Sequence, residues 1–354
     1  MKKLTVWLIM SVAIMPLHAQ KRGAVPEGAA SAPDRPLVLQ AQDTIKTQFE
    51  GKLLNKTVCD DDGNIYARNY VFQKAVDGTL QQIPIQKIKP DGTLAESYRV
   101  TDAGADLSAD DFFVSNAGDM YVSASNSKGE NFLISFASDG SIKSKTRIER
   151  DGMMTYQVAI FKAGEILLSG TEGEKGHTPF AGVFGTDGKL IGKLASSGDE
   201  EFKKAAEAGD PNFAPQSTGG YGNTSVHLGE AAAGSDGNVY LMRSSLPALV
   251  YAINPRGEVL RTIKIDPGES SMVAIALKSA PGKLAVVFRE RSSGGHYGVG
   301  GLVRVVDYEG NALATYLLKG PQDLGFFACY VPPSFEFVNT RKDGFNYRTK
   351  AEPR

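Results

Sequence analysis

Three histidines have types and placements that could hold a metal. His177, His227 and His296 fall in three separate irregular stretches of the chain. Three neutral imidazoles meeting at one point would make a zinc site with an open fourth position. The same residues also read as solvated loop histidines, because none sits in a local ligand motif. A second polar cluster is Arg289-Glu290-Arg291, followed by His296 and Tyr297. It could grip a carboxylate or phosphate, which suits the planar guanidinium, or form an outward salt-bridge ladder. Asp60-Asp61-Asp62-Gly63-Asn64 resembles the start of a calcium loop, but its glycine is at the wrong offset and no glutamate closes it. That stretch reads as a solvated hairpin turn. The glycines of 294–301 do not fit G-x-G-x-x-G, and no G-x-S-x-G elbow occurs. Neither Cys59 nor Cys329 sits in a redox or catalytic pattern, so the sequence offers no persuasive nucleophile.

The elements that would position these groups are short strands joined by glycine turns. One series of turns reads Asp62-Gly63-Asn64-Ile65-Tyr66, Ala117-Gly118-Asp119-Met120-Tyr121, Ala163-Gly164-Glu165-Ile166-Leu167, Asp236-Gly237-Asn238-Val239-Tyr240 and Pro281-Gly282-Lys283-Leu284. An interleaved series reads Asp91-Gly92-Thr93-Leu94, Asp139-Gly140-Ser141-Ile142, Asp187-Gly188-Lys189-Leu190, Arg256-Gly257-Glu258-Val259 and Glu309-Gly310-Asn311-Ala312. Glycine supplies the positive φ that such hairpins need. Two hairpins per repeat at a period of about 50 residues are the pattern of a β-propeller. In the clearest repeat, Ala248–Ile253 is apolar throughout and should be buried on both faces, while Val259–Ile265 mixes apolar with basic residues as an outer strand would.

Five repeats are evident. A sixth is implied by Phe326–Tyr330, Phe335–Asn339 and Phe345–Lys350, three runs that lack a fourth. Leu37–Gln40 could supply it, alone or with Thr44–Phe49, and closing the ring this way removes an open sheet edge. Asp343-Gly344 could be the first or the second turn of that set. The fold expected is thus all-β, a six-bladed propeller of four-stranded antiparallel blades spanning residues 37–354. The irregular stretches Glu172–Pro179, Ser196–Val226 and Arg291–Gly301 all map to the face opposite the glycine turns, where function is expected to sit. Ser197-x-x-Glu200 followed by Phe202, Ala205 and Ala206 predicts a short helix inside the 196–226 insertion.

Residues 1–19 carry Lys2 and Lys3, the apolar run Leu4–Met15 and a small residue at Ala19, the pattern of a secretory signal peptide. Residues 20–36 read as a flexible leader. Without Lys2 and Lys3 the chain has 37 basic and 40 acidic side chains, with no basic stripe, which argues against a nucleic-acid partner. No later run reaches membrane-spanning length. Export places Cys59 and Cys329 in an oxidising compartment. They fall on strands that would be neighbours where the ring closes, and read equally as a closing disulfide or as two buried thiols.

The units DGNIY, GDMY and DGNVY, with the outer DGSI, DGKL and RGEV, resemble NHL-type six-bladed propellers, and exported bacterial propellers among them. The resemblance covers roughly Leu37 to the C-terminus, less residues 196–226. It implies a binding platform; a few members are enzymes, including a zinc lyase whose metal is held by histidines from different blades. The expectation is a monomeric, periplasmic or extracellular module without a cofactor. It would bind a peptide, protein or small ligand through Tyr221, His227, Arg291, His296 and Tyr297. The alternatives are a zinc-dependent lyase or hydrolase using His177, His227 and His296, and a surface or assembly scaffold with no small ligand.

Overall fold

The computed structural model describes residues 36–50, 54–69, 72–74, 80–172, 178–194, 230–243, 247–268, 272–291, 297–318 and 325–354. About two-thirds of these residues are strand, and most of the rest are turns and connections. Strand β1 (Leu37–Lys46) precedes a first sheet of β2 (Leu54–Cys59), β3 (Ile65–Asn69), β6 (Ile85–Ile88) and β7 (Leu94–Tyr98). Between β3 and β6 the chain makes a separate ribbon, β4 (Phe72–Lys74) and β5 (Leu80–Gln82), which the sequence reading does not anticipate. The next three sheets each take four consecutive strands. They are β8 (Leu107–Val114) to β11 (Ile142–Ile148), with β9 (Met120–Asn126) and β10 (Asn131–Phe136) between. Then come β12 (Met154–Ile160), β13 (Ile166–Glu172), β14 (Thr178–Phe184) and β15 (Leu190–Lys193). The third of these is β16 (Ala231–Ala233), β17 (Val239–Arg243), β18 (Ala248–Ile253) and β19 (Val259–Ile265).

The last sheet has eight strands. One half is β20 (Met272–Ala280), β21 (Lys283–Arg291), β22 (Tyr297–Asp307) and β23 (Ala312–Leu318). The other half is β24 (Phe326–Val331), β25 (Ser334–Thr340), β26 (Asn346–Pro353) and β1. Each half is antiparallel internally, and the two are joined by a short parallel pairing of Leu37–Leu39 with Tyr316–Leu318. The sheets form a propeller-like ring, with the first strand of each set innermost. The only helical turn among the described residues is the 3₁₀ turn Val100–Asp102. No described helix is long and apolar enough to cross a membrane.

The turn signature has a chemical basis. Asp236 accepts hydrogen bonds from the Asn238 side chain at 2.7 Å and from the Tyr240 hydroxyl at 2.9 Å. Asp60 does the same with Asn64 at 2.8 Å and Tyr66 at 2.9 Å. Tyr347 donates to Asp343 at 2.6 Å. Tyr66 and Tyr240 thus pack their rings in the core and spend their hydroxyls on the carboxylate that shapes the turn, while Tyr347 makes the same bond from a partly exposed position. Burial first, and then the facing carboxylate, push the Tyr66 and Tyr240 hydroxyls well above the usual tyrosine range. Asp60 corrects the reading of its stretch as a solvated turn, since it is buried at 3% exposure.

The second turn series fixes how neighbouring sets meet. Each of its glycines sits against the outer strand of the preceding set: Gly140 against Glu96, Gly188 against Arg147, Gly257 against Gly192 and Gly310 against Ile263. Gly92 sits in the same way against Ile45 and Lys46, so β1 occupies the outer-strand place before the first sheet. The burial of β17, β18 and β19 follows the expected gradient, from wholly buried to alternating.

Several expectations change. A single N-terminal strand, β1, joins the last sheet, and Thr47–Phe49 lies outside it. Asp343-Gly344 joins β25 to β26, the middle connection of its set, whereas Pro332-Pro333 makes the first. At the ends of the stretches read as loops, Glu172–Pro179 and Arg291–Gly301, Glu172 pairs with Thr178 and Arg291 with Tyr297, so strands reach into both, and residues 173–177 and 292–296 lie outside the described residues. Arg289 is no outward ladder rung; it is 6% exposed and donates to the Gly325 carbonyl at 3.1 Å. The helix expected within 196–226 lies outside the described residues.

Two glycines with positive φ separate backbone strain from packing. At Gly237 a Cβ would meet nothing within 4 Å, while at Gly188 it would lie 1.9 Å from the Arg147 carbonyl oxygen of the preceding sheet. Urea unfolding should show Gly237→Ala costing about 1 kcal/mol and Gly188→Ala losing more than about 2 kcal/mol. Equal losses would mean that the turn does not bear on its neighbour.

Candidate functional site

The innermost strands carry bulges at one repeated position. The register slips between Leu54 and Lys56 on β2, between Ala109 and Asp111 on β8, and between Thr155 and Gln157 on β12. A bulge re-aims the side chain that follows it. The first turn opens with the same backbone bond in four sets: Asp60 to Asn64, Ser115 to Asp119, Phe161 to Glu165 and Gly234 to Asn238. The residue four positions before each opening is Lys56, Asp111, Gln157 and Glu230 in turn. Equivalent places in four successive sets, three on the innermost strand and Glu230 just before β16, thus carry polar or charged side chains.

These groups satisfy one another between sets. Lys56 Nζ lies 2.7 Å from Asp111 Oδ2, with both side chains almost buried. The same Asp111 oxygen accepts the Val158 N–H of the third sheet at 2.9 Å. Glu230 Oε2 accepts the Leu277 N–H at 2.7 Å and lies 3.2 Å from Lys278 Nζ. Lys278 also donates to the Thr57 carbonyl at 3.1 Å, on the opposite side of the closing seam. Burial holds the Lys278 ammonium below the usual lysine range, with Glu230 opposing and Lys56 adding to the effect. The Gln157 side-chain oxygen is buried and has no partner among the described residues.

Above this cluster lies a cavity of about 300 Å³. Lys56, Lys278, Phe112, Leu277, Ala232 and Tyr330 line its walls, and the first-turn residues Asp60, Asp61, Asn116, Ser235 and Pro332 line the end towards the turns. Cys59 and Cys329 form part of the wall as well. They are bonded to each other in the structure, with Cα atoms 5.5 Å apart, linking the innermost strands β2 and β24 across the seam.

A second polar cluster lies beside the β8 bulge. Arg68 donates to the carbonyls of Ala109 and Asp110, and Gln82 pairs with both backbone groups of Ala109, at 2.9 and 2.8 Å. The Asp110 carboxylate accepts from Ser125 Oγ at 3.0 Å through one oxygen, while its other oxygen is buried without a partner among the described residues. Burial pushes the Asp110 carboxyl up to about 7, against the opposing pull of Ser125 and Arg68.

Tyr221, His227, His177 and His296 lie outside the described residues. Arg291 and Tyr297 are backbone partners across the β21–β22 hairpin. Among the described residues no group of three or more His, Cys, Asp and Glu could hold a metal ion. Lys56, Asp111, Glu230 and Lys278 escaped the sequence reading. Lys56, Asp111 and Glu230 each lie seven residues before a first-turn glycine (Gly63, Gly118 and Gly237), so aligning the repeats on those glycines stacks the three in one column.

The ring of antiparallel sheets around an axial cavity defines an all-β, propeller-like protein. No family model matches the chain, and no curated protein matches it. Solved structures do. A protein of unknown function from Dyadobacter fermentans DSM 18053 superposes with a TM-score of 0.53 at 9% identity, over 89% of this chain and 99% of that one. A protein of unknown function from Bacteroides caccae gives 0.46 at 13% identity, over 76% and 83%. BBS1N, solved in complex with ARL6DN, gives 0.44 at 10% identity, over 90% and 98%. The first of these supports the fold.

Asp110 makes a pH-dependent contribution of known sign. Its folded value, about 7, lies above the value of about 4 expected when unfolded. Its protonated form is therefore favoured by folding, and this contribution is full below about pH 4 and lost as pH rises through about 7. Urea unfolding across this range should show a loss of up to about 4 kcal/mol in wild type that is absent in Asp110→Asn. Parallel pH curves for the two proteins would show that the carboxyl is not held protonated.

Proposed function

We propose that this chain is an exported six-bladed propeller of NHL type that acts as a binding module, and that a small ligand enters the axial cavity from the turn face. The count of six treats the two halves of the eight-stranded sheet as separate blades, each four-stranded and antiparallel, which the outer-strand place of β1 supports. The repeated Asp-Gly-Asn and tyrosine turn units support the NHL assignment. The basic, apolar and small-residue order of residues 1–19 supports export.

The single observation that carries the binding reading is the open cavity over a buried charge cluster. Ion pairs removed from water on a ring axis cost free energy unless they are well satisfied. A scaffold with no ligand would be expected to fill the space above them with apolar side chains. The volume is at the lower end of small-molecule pockets, with apolar walls and a few convergent polar groups.

Ala233 lines this cavity and is only partly buried, so Ala233→Phe should fill the space without unfolding the ring. Thermal-shift screening of wild type against a metabolite library should give hits that stabilise wild type but not Ala233→Phe. Stabilisation retained in the filled variant would rule out the axial site.

Export is tested through the cysteines. Protein recovered from the periplasm or medium should show no free thiol until denatured and reduced. Reduction should then lower unfolding stability by about 3–5 kcal/mol, the scale for releasing a very long loop. Free thiols in the exported protein would overturn the closing-bond reading.

A further inference from the structure

We propose that Lys278 is a carbonyl-reactive lysine that forms a Schiff base with a small neutral aldehyde or ketone held in the axial cavity. This rests on the cavity being a ligand site.

The geometry supplies each requirement. Lys278 is on β20, its side chain is 11% exposed, and it lines the cavity. Its amine is 3.2 Å from Glu230 Oε2, and that oxygen is fixed by the N–H of Leu277, the residue next to the lysine, at 2.7 Å. A carboxylate pinned in this way is a placed proton acceptor and donor for the amine beside it. A lysine becomes nucleophilic when it is desolvated or set near another cation. Both conditions hold, since burial and the Lys56 ammonium each disfavour charge on Lys278.

Charge narrows the class of carbonyl compound. Asp60 and Asp61 at the turn end, with Asp111 and Glu230 at the cluster, outnumber Lys56 and Lys278. Lys87, 3.8 Å from Asp60, offsets one of them. With no excess of positive charge, an anionic keto acid is disfavoured relative to a neutral carbonyl compound. Phe112, Leu277 and Ala232 give such a compound apolar walls.

The step is redox-neutral. The ammonium passes one proton to Glu230, and the amine lone pair forms a C–N bond to the carbonyl carbon as the C=O π pair moves to oxygen. With Glu230 and the amine relaying them, two of the original ammonium hydrogens leave on that oxygen as water. The product is a protonated imine, which keeps the positive charge opposite the regenerated Glu230 carboxylate.

Reductive trapping tests this on the mature protein. Wild type is treated with propionaldehyde and sodium cyanoborohydride at neutral pH, and the alkylated lysines are mapped by mass spectrometry. Lys278 should be labelled about tenfold faster than the average lysine, although most of the others are better exposed. Glu230→Gln should slow labelling at Lys278, Lys278→Arg should abolish the fast phase, and pyruvate should label poorly. Because mapping is done on wild type, the result does not depend on any variant folding. Labelling that merely follows exposure overturns the proposal. If Ala233→Phe blocks ligand-induced stabilisation while Lys278 stays unlabelled in wild type, the cavity reading stands and the Schiff base falls. Fast labelling of Lys278 that is undiminished in Ala233→Phe overturns both.

Discussion

The whole ring depends on how its seam is closed. A chain that lays down sheet after sheet around an axis ends with an exposed edge on its last sheet and nothing to join it to the first. Here β1 fills that place, pairing antiparallel with β26 over most of its length and parallel with the end of β23. An edge that would otherwise invite pairing with other chains is thereby consumed. The same strand then meets the turn at Gly92, so the first sheet is seated as every later one is. Cys59 and Cys329 fasten the inner end of the seam, close to the axis. Hydrogen bonds hold the rim, and a covalent link sits at the hub.

At the axis a different constraint operates. The inner strands converge there edge-on, and the polar groups they bring are largely removed from water. Buried charge is tolerable only when paired and hydrogen-bonded. The solution is reciprocal: Asp111 joins Lys56 of the first sheet to the Val158 N–H of the third, and Glu230 joins Leu277 and Lys278 to its own strand. Each carboxylate thus ties neighbouring sets together while neutralising a lysine. The cavity above this cluster is lined by Lys56 and Lys278, so two of its groups border open space.

Asp110 shows how local backbone irregularity creates such features. It is the extra residue of the β8 bulge, and Arg68 and Gln82 hold its surrounding carbonyls and amide rather than its side chain. One carboxylate oxygen is left buried without a partner among the described residues, which favours the protonated form. Neighbouring residues 110 and 111 therefore have different roles: Asp111 in an ion pair between neighbouring sheets and Asp110 in a desolvated site.

The sequence alone determined the architecture of the repeat. Glycine at the turns, tyrosine two or four residues beyond the turn aspartate, and apolar runs of strand length repeat because each set must solve the same local problem with the same residue types. Strand burial in Ala248–Ile253 and Val259–Ile265, and closure by an N-terminal strand, follow from that pattern. The tertiary structure alone decided the candidate site. Lys56, Asp111 and Lys278 come from three inner strands and Glu230 from the residue just before a fourth, far apart in the chain and in ordinary strand contexts. On β2 and β8 a bulge immediately precedes Lys56 and Asp111 and re-aims them, and a bulge leaves no composition signal. The direction in which Arg289 points, the buried state of Asp60 and the meeting of Cys59 with Cys329 were likewise set by which strands the closed ring places side by side.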